Sequence, residues 1–510
     1  MKIKPDDIEI PLDDPFRHDL LDRKQSILIL TNLLKNLETP YTMSIDASWG
    51  NGKTTFLNMW KQHLKNEDFP VVSFNAWDTD FAEFPLIALT SELLVTLQSL
   101  DEEGDLGLDA IEATLPRIHK ITLTKAIPWM ISLAGVIGGI QANDPSVALL
   151  GNTLSAGIAG TMEEMTRNEL LADPQEPLTY VEAKEEINSF KNALASTAEK
   201  LSEKHSGKPL VIAIDELDRC RPSYAIELLE IVKHFFSVDY VVFVLAIDKS
   251  QLSHAIKAVY GRNFDAIGYL RRFVDLDFRL PYPDRKTFMT QLMKQTGLYR
   301  FFEDSNVQSW GRPNDTRRLL STFLSSSTLS IRQIQQALYH LGLVLASLDS
   351  QSDISYGAIA ALVILKTINP AVYRQYIQSD LTDEEVLDVL FDSPGFQNTR
   401  STGDGALLEA LLVIGYGEFA MTQGRDPMLG TQSRFHHYCH IIDSLPNSPF
   451  GFTNLEGISP PPTHLEKEVL KQLQNYSNLL GEVRSNRRVG FNLTAQRLEL
   501  FSDDLVGNNP

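Results

Sequence analysis

Segment 44–60, SIDASWGNGKTTFLNMW, holds residue types that can bind phosphate at a suitable spacing. It follows the pattern G-x-x-x-x-G-K-[ST], except that Ala47 stands at the position of the first glycine. Alanine fits there if its φ is negative. Gly50 and Gly52 allow the tight turn in which backbone N–H groups surround a phosphate, and Lys53 would reach the β- and γ-phosphates of a nucleotide. The sequence therefore predicts a phosphate-binding loop.

Two threonines follow the lysine at the predicted start of a helix. The Thr54 hydroxyl would bind Mg²⁺, and Thr55 could contact the α-phosphate, because a helix N-terminus favours anions. The flanking segments suit this loop: YTMSID is typical of a strand, and KTTFLNMWKQHL of an amphipathic helix with Phe56, Leu57 and Trp60 facing inward. An ordinary turn between a strand and a helix is the alternative.

A second group of reactive residues lies in KPLVIAIDELDRCRP. The uninterrupted apolar run at 210–214 predicts a strand that is buried on both faces of a parallel sheet. Asp215 and Glu216 follow it, at the carboxyl edge where ligands bind in open α/β sheets. Asp215 would hold Mg²⁺ through water, and Glu216 would orient and deprotonate the attacking water. A solvated acidic turn is the alternative, and the phosphate-binding loop upstream disfavours it.

A third buried run, YVVFVLAID, ends at Asp248, which we predict to sense the γ-phosphate or the attacking water. A glutamate beside the Mg²⁺ aspartate and a polar sensor on another strand are typical of ATPases with a catalytic glutamate, the ASCE type. No NKxD-type guanine-reading motif occurs where a GTPase would need one. The sequence favours ATP.

Length and composition limit the class of protein. A chain of 510 residues is long enough for two or three domains. The formal charge of −20 argues against non-specific binding of nucleic-acid phosphates. Two distant cysteines suit a reducing compartment, and the N-terminal segment lacks the apolar core of a signal peptide. We therefore expect a cytoplasmic protein.

Several separate segments resemble the KAP family of P-loop NTPases. WGNGKTT is similar to the family's W-G-x-G-K-[ST]-[ST] loop, IDELDRCRP to its I-D-D-L-D-R-C-x-P motif, and VVFVLAID to its next strand. The resemblance covers roughly 14–345. Two residues depart from the family pattern. Glu216 stands where the family more often has aspartate, and Ala47 is the other departure. The resemblance implies nucleotide binding by Trp49, Gly50, Asn51, Gly52, Lys53, Thr54 and Thr55.

Two arginines complete the predicted site. Arg272 stands at the family's lysine position before the strand FVDLDFRLP, and we predict it to act as an arginine finger on the γ-phosphate, in its own chain or across an interface. A surface arginine is the alternative. In TLSIRQIQQALYHL, Ser330 is the predicted N-cap of a lid helix and Arg332 lies in its first turn. A cation is unfavourable at a helix N-terminus, which hints at a nearby anion such as the nucleotide.

An apolar insertion separates the two nucleotide motifs. Segments 126–143 and 145–162 each contain 18 residues without a charge, which is the short limit for a membrane-spanning helix. Flanking basic residues would leave both ends in the cytoplasm. The alternatives are an inner-membrane hairpin and a helical hairpin that is soluble or buried in an oligomer, and the composition narrowly favours the second.

The predicted fold class is α/β: a parallel-sheet P-loop NTPase core of the ASCE type with a helical insertion, a helical lid and a helical C-terminal domain. The predicted activity is hydrolysis of ATP with Mg²⁺ to drive or gate a conformational change in a multi-protein complex. The family resemblance implies bacterial anti-phage defence. We expect protein partners and a homo-oligomer, and no direct binding of nucleic acid. The alternative is a nucleotide-gated, membrane-associated scaffold with little turnover.

The predicted domains are the first part of the NTPase core at 1–110, the insertion at 111–180, the second part of the core at 181–284, the lid at 285–350 and the C-terminal domain at 351–510.

Overall fold

The structure is a computed structural model. It describes residues 9–37, 39–81, 84–123, 180–235, 237–303, 309–310, 313–326, 328–347, 354–428, 433–444, 461–484 and 490–500. The apolar segments 126–143 and 145–162 lie outside the described residues, so the predicted hairpin stays a prediction.

The chain divides into two compact units, an N-terminal unit formed by Glu9–Tyr282 and a C-terminal unit that begins at Pro283. The elements of the N-terminal unit are α1 Lys24–Leu34, β1 Tyr41–Asp46, α2 Lys53–Asn66, β2 Val71–Asn75, α3 Pro85–Leu100, α4 Asp109–Leu123, α5 Tyr180–Lys204, β3 Leu210–Asp215, a 3₁₀ turn Leu217–Arg219, α6 Pro222–Phe235, β4 Val241–Ile247, α7 Lys249–Tyr260, α8 Ala266–Leu270 and β5 Leu276–Arg279.

The five strands of the N-terminal unit form one parallel sheet in the order β2-β3-β4-β1-β5. The strands predicted from YTMSID, from the run at 210–214 and from YVVFVLAID are confirmed as β1, β3 and β4. β4 lies between β1, which leads into the glycine loop, and β3, which carries the acidic residues. This parallel α/β sheet confirms the predicted fold class.

Apolar layers cover both faces of the sheet. Because side chains alternate along a strand, each strand contributes to both layers. One layer contains Val242, Val244 and Ala246 of β4 with buried residues of α1 and α2. The other contains Phe243, Leu245 and Ile247 with buried residues of α3, α5, α6 and α7. The predicted inward residues Phe56, Leu57 and Trp60 are buried in the first layer, at 0–1% exposure.

The described part of the C-terminal unit is mainly helical. Its elements are α9 Arg285–Gln295, α10 Leu298–Glu303, β6 Ser309–Trp310, α11 Pro313–Ser326, α12 Ile331–Ala346, β7 Ile354–Ser355, α13 Tyr356–Ile368, α14 Pro370–Ile377, α15 Asp383–Asp392, α16 Gly403–Thr422, α17 Arg434–Asp443, α18 His464–Asn475, α19 Ser477–Arg484 and α20 Phe491–Leu500. β6 and β7 form a short parallel pair.

By length and composition, α16 could cross a membrane, and it is the one such helix among the described residues. However, 83% of its apolar window is buried inside the structure, as in the core helix of a soluble protein. This makes α16 weak evidence for membrane insertion. Cys220 and Cys439 are buried and unbonded to each other.

Candidate functional site: the carboxyl edge of the parallel sheet

The strand register brings the predicted site residues to one edge of the sheet. Asp46, the last residue of β1, pairs with Ile247 of β4, and Asp215 of β3 pairs with Asn75 of β2. All strands are parallel, so their carboxyl ends meet at this edge. The glycine loop after β1 and the acidic turn after β3 therefore lie on the same side of the N-terminal unit.

The glycine loop has the backbone conformation that its sequence predicts. Gly50 and Gly52 have φ values of +76° and +81°, which favour glycine. A Cβ on Gly52 would also lie 2.8 Å from a side-chain carbon of Leu21. Ala47 is not among the described residues with positive φ, and its N–H donates to the carbonyl of Ile247 at 3.2 Å. Alanine therefore fits the first position of this loop.

Lys53 begins α2 and is 9% exposed. Its Nζ donates to the carbonyl oxygen of Ala47 at 2.7 Å and lies 3.4 Å from Oδ2 of Asp218. The ammonium group thus lies across the loop, where it neutralises a buried carboxylate.

The other loop residues have distinct environments. Trp49 is 46% exposed, and its backbone N–H and indole N–H donate to two buried carboxylates, those of Asp248 and Asp218. The backbone N–H of Asn51 closes a turn on the carbonyl of Ser48 at 3.3 Å. Thr54 is exposed and Thr55 is partly buried at the start of α2. Nucleotide binding by these residues stays a prediction.

Asp215 lies beside Thr54, as the predicted Mg²⁺ site requires. A side-chain hydrogen bond joins the two residues, and Oδ1 of Asp215 accepts the backbone N–H of Glu216 at 2.8 Å. Burial raises the pKa of the Asp215 carboxyl, while the hydrogen bonds from Thr54 and Glu216 oppose this shift. A bound divalent cation would favour the charged carboxylate.

The residues of this pair fit Mg²⁺. Mg²⁺ binds oxygen ligands and usually keeps several waters, taking one or two carboxylates with phosphate oxygens. Thr54 and Asp215 supply a hydroxyl and a carboxylate in contact with each other. The part of the chain that the structure describes contains no group of three His, Cys, Asp or Glu side chains able to hold a metal, but a site shared with phosphates does not need one.

Glu216 has an unusual backbone conformation for a residue with a side chain. Its φ and ψ are +60° and +22°, in the left-handed region. Non-glycine residues in this region are uncommon and cluster at functional sites. Its Oε1 lies 2.8 Å from the guanidinium of Arg219. Burial raises the pKa of the Glu216 carboxyl, and the charge of Arg219 lowers it.

Asp218 is a site residue that sequence reasoning missed. Its side chain is 1% exposed, and its Oδ2 accepts the indole N–H of Trp49 and approaches Lys53. Its Oδ1 is buried and has no hydrogen-bond partner in the structure. The sequence signal for Asp218 is the motif D-E-L-D, which places a third acidic residue just after the strand. Its partners are distant in sequence, and the sequence did not reveal them.

Asp248, the predicted sensor, is surrounded by backbone N–H groups that its carboxylate accepts. It is the N-cap of α7, and its Oδ1 accepts the backbone N–H groups of Ser250 at 3.0 Å and Gln251 at 3.3 Å. Its Oδ2 accepts the N–H of Trp49 at 3.0 Å. Asp248 therefore joins the glycine loop to α7. Its role as a sensor stays a prediction.

Arg272 is exposed and precedes β5, so it lies near the amino edge of the sheet. The neighbouring Asp275 bonds to Thr42 at the beginning of β1, whereas the glycine loop follows the end of β1. The length of β1 separates the two edges by about 17 Å. The structure therefore does not bring Arg272 to the site of its own chain.

Arg332 belongs to the C-terminal unit. Ser330 is the N-cap of α12 and forms a capping box with Gln333, which confirms the predicted helix start. Arg332 lies in the first turn and is exposed. Its predicted contact with nucleotide stays a prediction.

Comparisons with known proteins agree with this geometry. The model of the KAP family P-loop domain matches residues 23–348. The Phage T7 exclusion protein of Escherichia coli (strain K12) is 21% identical over 367 residues, which covers 69% of this chain and 44% of that protein. The chain thus spans less than half the length of this curated relative.

Two solved structures are similar over most of the chain. The ORC2 protein of Aeropyrum pernix, in ADPNP–ADP complexes, is 12% identical, with 90% of this chain and 94% of that chain covered and a TM-score of 0.32. Drosophila ORC bound to GC-rich DNA and Cdc6 is 12% identical, with 95% and 62% covered and a TM-score of 0.32.

The family match covers more than half of the chain and contains both the glycine loop and the acidic turn. This chain belongs to the KAP family of P-loop proteins, and residues 23–348 match the family's P-loop domain.

Proposed function

We propose that this protein binds ATP with Mg²⁺ and hydrolyses it to drive or gate a conformational change in a multi-protein complex. The observation that carries the proposal is the contact between the loop and the acidic turn. Thr54 is hydrogen-bonded to Asp215, Lys53 lies beside Asp218, and Glu216 is next in the chain. A phosphate-binding loop and a candidate general base thus share one edge of the sheet.

Each residue has a distinct task in this proposal. Lys53 binds the β- and γ-phosphates after it leaves its protein acceptors. Thr54 and Asp215 would hold Mg²⁺, which neutralises charge on the phosphates when it is bound. Glu216 orients the attacking water and accepts its proton. Burial raises the pKa of Glu216, which makes it a stronger base than an exposed carboxylate.

ATP is the proposed nucleotide because a glutamate follows the Mg²⁺ aspartate and no NKxD-type motif is present in the sequence. We assign Arg272 to a neighbouring subunit's site, since it lies at the amino edge of its own sheet. This makes a homo-oligomer part of the proposal. Protein partners and a cytoplasmic location complete it, without direct binding of nucleic acid.

The biological setting is proposed from the relative's name. The Phage T7 exclusion protein supports a role in bacterial anti-phage defence, although this chain spans only 44% of that protein. Contact with the inner membrane through 126–162 belongs to the alternative function, a nucleotide-gated scaffold with little turnover.

The test compares the purified wild type with Glu216→Gln and Lys53→Ala. We expect Glu216→Gln to keep ATP binding and to lose about 100-fold or more in phosphate release, because the base is removed and the loop is intact. Lys53→Ala should lose ATP binding. The control is Glu199→Gln, which makes the same chemical change at an exposed position on α5. It should leave ATP binding and phosphate release unchanged.

Binding without hydrolysis in the wild type would contradict the ATPase proposal. If cells also keep full function with Glu216→Gln and lose it with Lys53→Ala, the protein acts as a nucleotide-gated scaffold.

A further inference from the structure

Glu216 and Arg219 form an ion pair within the turn that follows β3. The guanidinium NH1 of Arg219 lies 2.8 Å from Oε1 of Glu216, and the side chains are 32% and 13% exposed respectively. An exposed ion pair at this spacing contributes little, but the Glu216 carboxylate is largely shielded from water. The arginine is the cation in contact with the proposed general base.

The same guanidinium lies over the indole ring of Trp77, with its central carbon 5.4 Å from the ring centroid. Two hydrogen bonds of the Asn75 side chain fix the turn that carries Trp77. Oδ1 of Asn75 accepts the backbone N–H of Trp77 at 3.1 Å, and its Nδ2 donates to Asp78 at 2.7 Å. Trp77 is 50% exposed and contributes a ring face to this contact.

We propose that Arg219 is a positioning residue for ATP hydrolysis, held by Trp77, which fixes the Glu216 carboxylate where it can accept a proton from the attacking water. The inference rests on the proposed ATPase function. In this role Arg219 does not contact the nucleotide. It affects hydrolysis only by holding Glu216, and Trp77 does so only by holding Arg219.

The chemistry of arginine explains why this residue type is suited to the role. A guanidinium donates in its plane and stacks on a ring through its face, so it can bind Glu216 and Trp77 at the same time. A lysine supplies the charge without this planar geometry. The ion pair with Arg219 restricts the torsions of the Glu216 side chain.

The consequence for turnover can be measured. A residue that acts only by holding the general base changes the rate of the chemical step and leaves nucleotide binding intact, so its loss should lower kcat without raising the KM for ATP. A purely structural role for Arg219 would instead reduce the folded fraction or weaken ATP binding, and a lysine at this position would not restore kcat.

The experiment measures kcat and the KM for ATP of Arg219→Ala, Arg219→Lys and Trp77→Ala. We expect Arg219→Ala to lower kcat about tenfold, with KM within about threefold. Arg219→Lys should lose less in kcat, because it keeps the charge that holds the Glu216 carboxylate. Trp77→Ala should lower kcat about two- to threefold.

The matched control is Arg221→Ala, two residues further along the chain. Arg221 pairs with Asp80 at 2.9 Å, and its side chain is 58% exposed. Its removal deletes a positive charge near the site and leaves the Glu216–Arg219 pair in place, so kcat should stay within about twofold of the wild type. ATP binding and thermal unfolding of each variant show whether it is folded.

Two results would overturn the inference while wild-type turnover is intact. One is a kcat that stays at the wild-type value in folded Arg219→Ala, and the other is a rise in kcat, which would mean that the pair restrains Glu216. A wild-type protein that binds ATP without hydrolysing it would instead remove the proposed function, and this inference with it.

Discussion

Both units of the molecule bury carboxylates, and those beside the glycine loop differ from two in the C-terminal unit in the groups that approach them. In the N-terminal unit, Asp215 bonds to the hydroxyl of Thr54, and Asp218 bonds to Trp49 and Lys53. These side-chain partners belong to the glycine loop. One oxygen of Asp218 is buried with no hydrogen-bond partner.

In the C-terminal unit, two buried carboxylates, those of Asp383 and Glu418, bind the starts of other helices. Asp383 accepts the backbone N–H groups of Arg434 at 2.9 Å and Phe435 at 2.7 Å, where α17 begins. Glu418 accepts those of Phe491 at 3.2 Å and Asn492 at 3.0 Å, where α20 begins. The N–H groups of a first helical turn have no partner within their helix, so each carboxylate satisfies two of them.

The comparison separates two uses of a buried charge. Backbone donors at a helix start are fixed, so a carboxylate that binds them stabilises packing and is not available to a ligand. Side-chain donors such as Lys53 can rotate toward a phosphate and release their acceptor. By this criterion Asp248 belongs with Asp383 and Glu418, because all of its donors are backbone N–H groups.

Among the effects predicted for removing one of these carboxylates, the largest is a loss of stability in the C-terminal unit. Asp383→Ala removes the acceptor for two N–H groups of α17, and we expect a loss of about 3 kcal/mol in unfolding free energy. Asp383→Asn keeps one acceptor oxygen and should lose about half as much. Hydrogen exchange of the amides in 434–443 measures the effect, with ATP turnover as the contrast. Turnover that fell while exchange stayed slow would contradict the structural role.

The same carboxyl gives stability a pH dependence. Burial raises the pKa of Asp383 from 3.8 to about 7. The folded state then binds more protons than the unfolded state between these two values, so this group's contribution to stability falls as pH rises from about 4 to about 7. Asp383→Asn should remove that part of the slope. An identical slope in the variant would show that other groups produce it.

A smaller effect, on turnover, is expected for a carboxylate that binds the loop. Asp218→Asn removes the charge that holds Lys53 and Trp49, and we predict about a tenfold loss of kcat/KM with stability changed by about 1 kcal/mol or less. Glu418→Gln is the counterpart in the other unit and should reduce stability without changing turnover. If Asp218→Asn unfolds the protein and leaves the activity of the folded fraction intact, the two classes of carboxylate are not distinct.

The sequence predicted the parts of the site that depend on local pattern. Apolar runs predict β3 and β4, the segment YTMSID before the loop predicts β1, and spacing predicts the glycine loop, since all of these are determined by neighbouring residues. Ser330 was recognised as an N-cap for the same reason. Contacts between distant segments were not predictable in this way. Asp218 and Lys53 are brought together only by the order of the strands, as are Arg219 and Trp77.

The sequence also contains information on the positions of Arg272 and Asp248. Arg272 precedes a strand of a parallel sheet, and ligands bind beyond the ends of such strands, so its position at the opposite edge could have been inferred. Asp248 is followed directly by a helical segment, which is the usual place of an N-cap aspartate. A carboxylate at the end of a buried strand satisfies the patterns for a sensor and for a cap equally, and only its hydrogen-bond partners distinguish them.

The smallest predicted effect tests that distinction directly. Asp248→Ala removes a helix cap and the acceptor for the N–H of Trp49, so we expect a loss of about 1 kcal/mol in stability and a few-fold weaker binding of ATP. At saturating ATP, kcat should stay within about threefold of the wild type, because no proton transfer depends on this residue.

Asp265→Ala is the matched control, since Asp265 caps α8 through the N–H of Gly268 and not through any group of the glycine loop. It should lose comparable stability and keep ATP affinity. A fall of 100-fold or so in kcat with unchanged KM in Asp248→Ala would instead identify a sensor that acts in the transition state. Asp248 would then be a carboxylate that serves packing in the absence of nucleotide and catalysis in its presence, and the class of its donors would no longer be enough to assign its role.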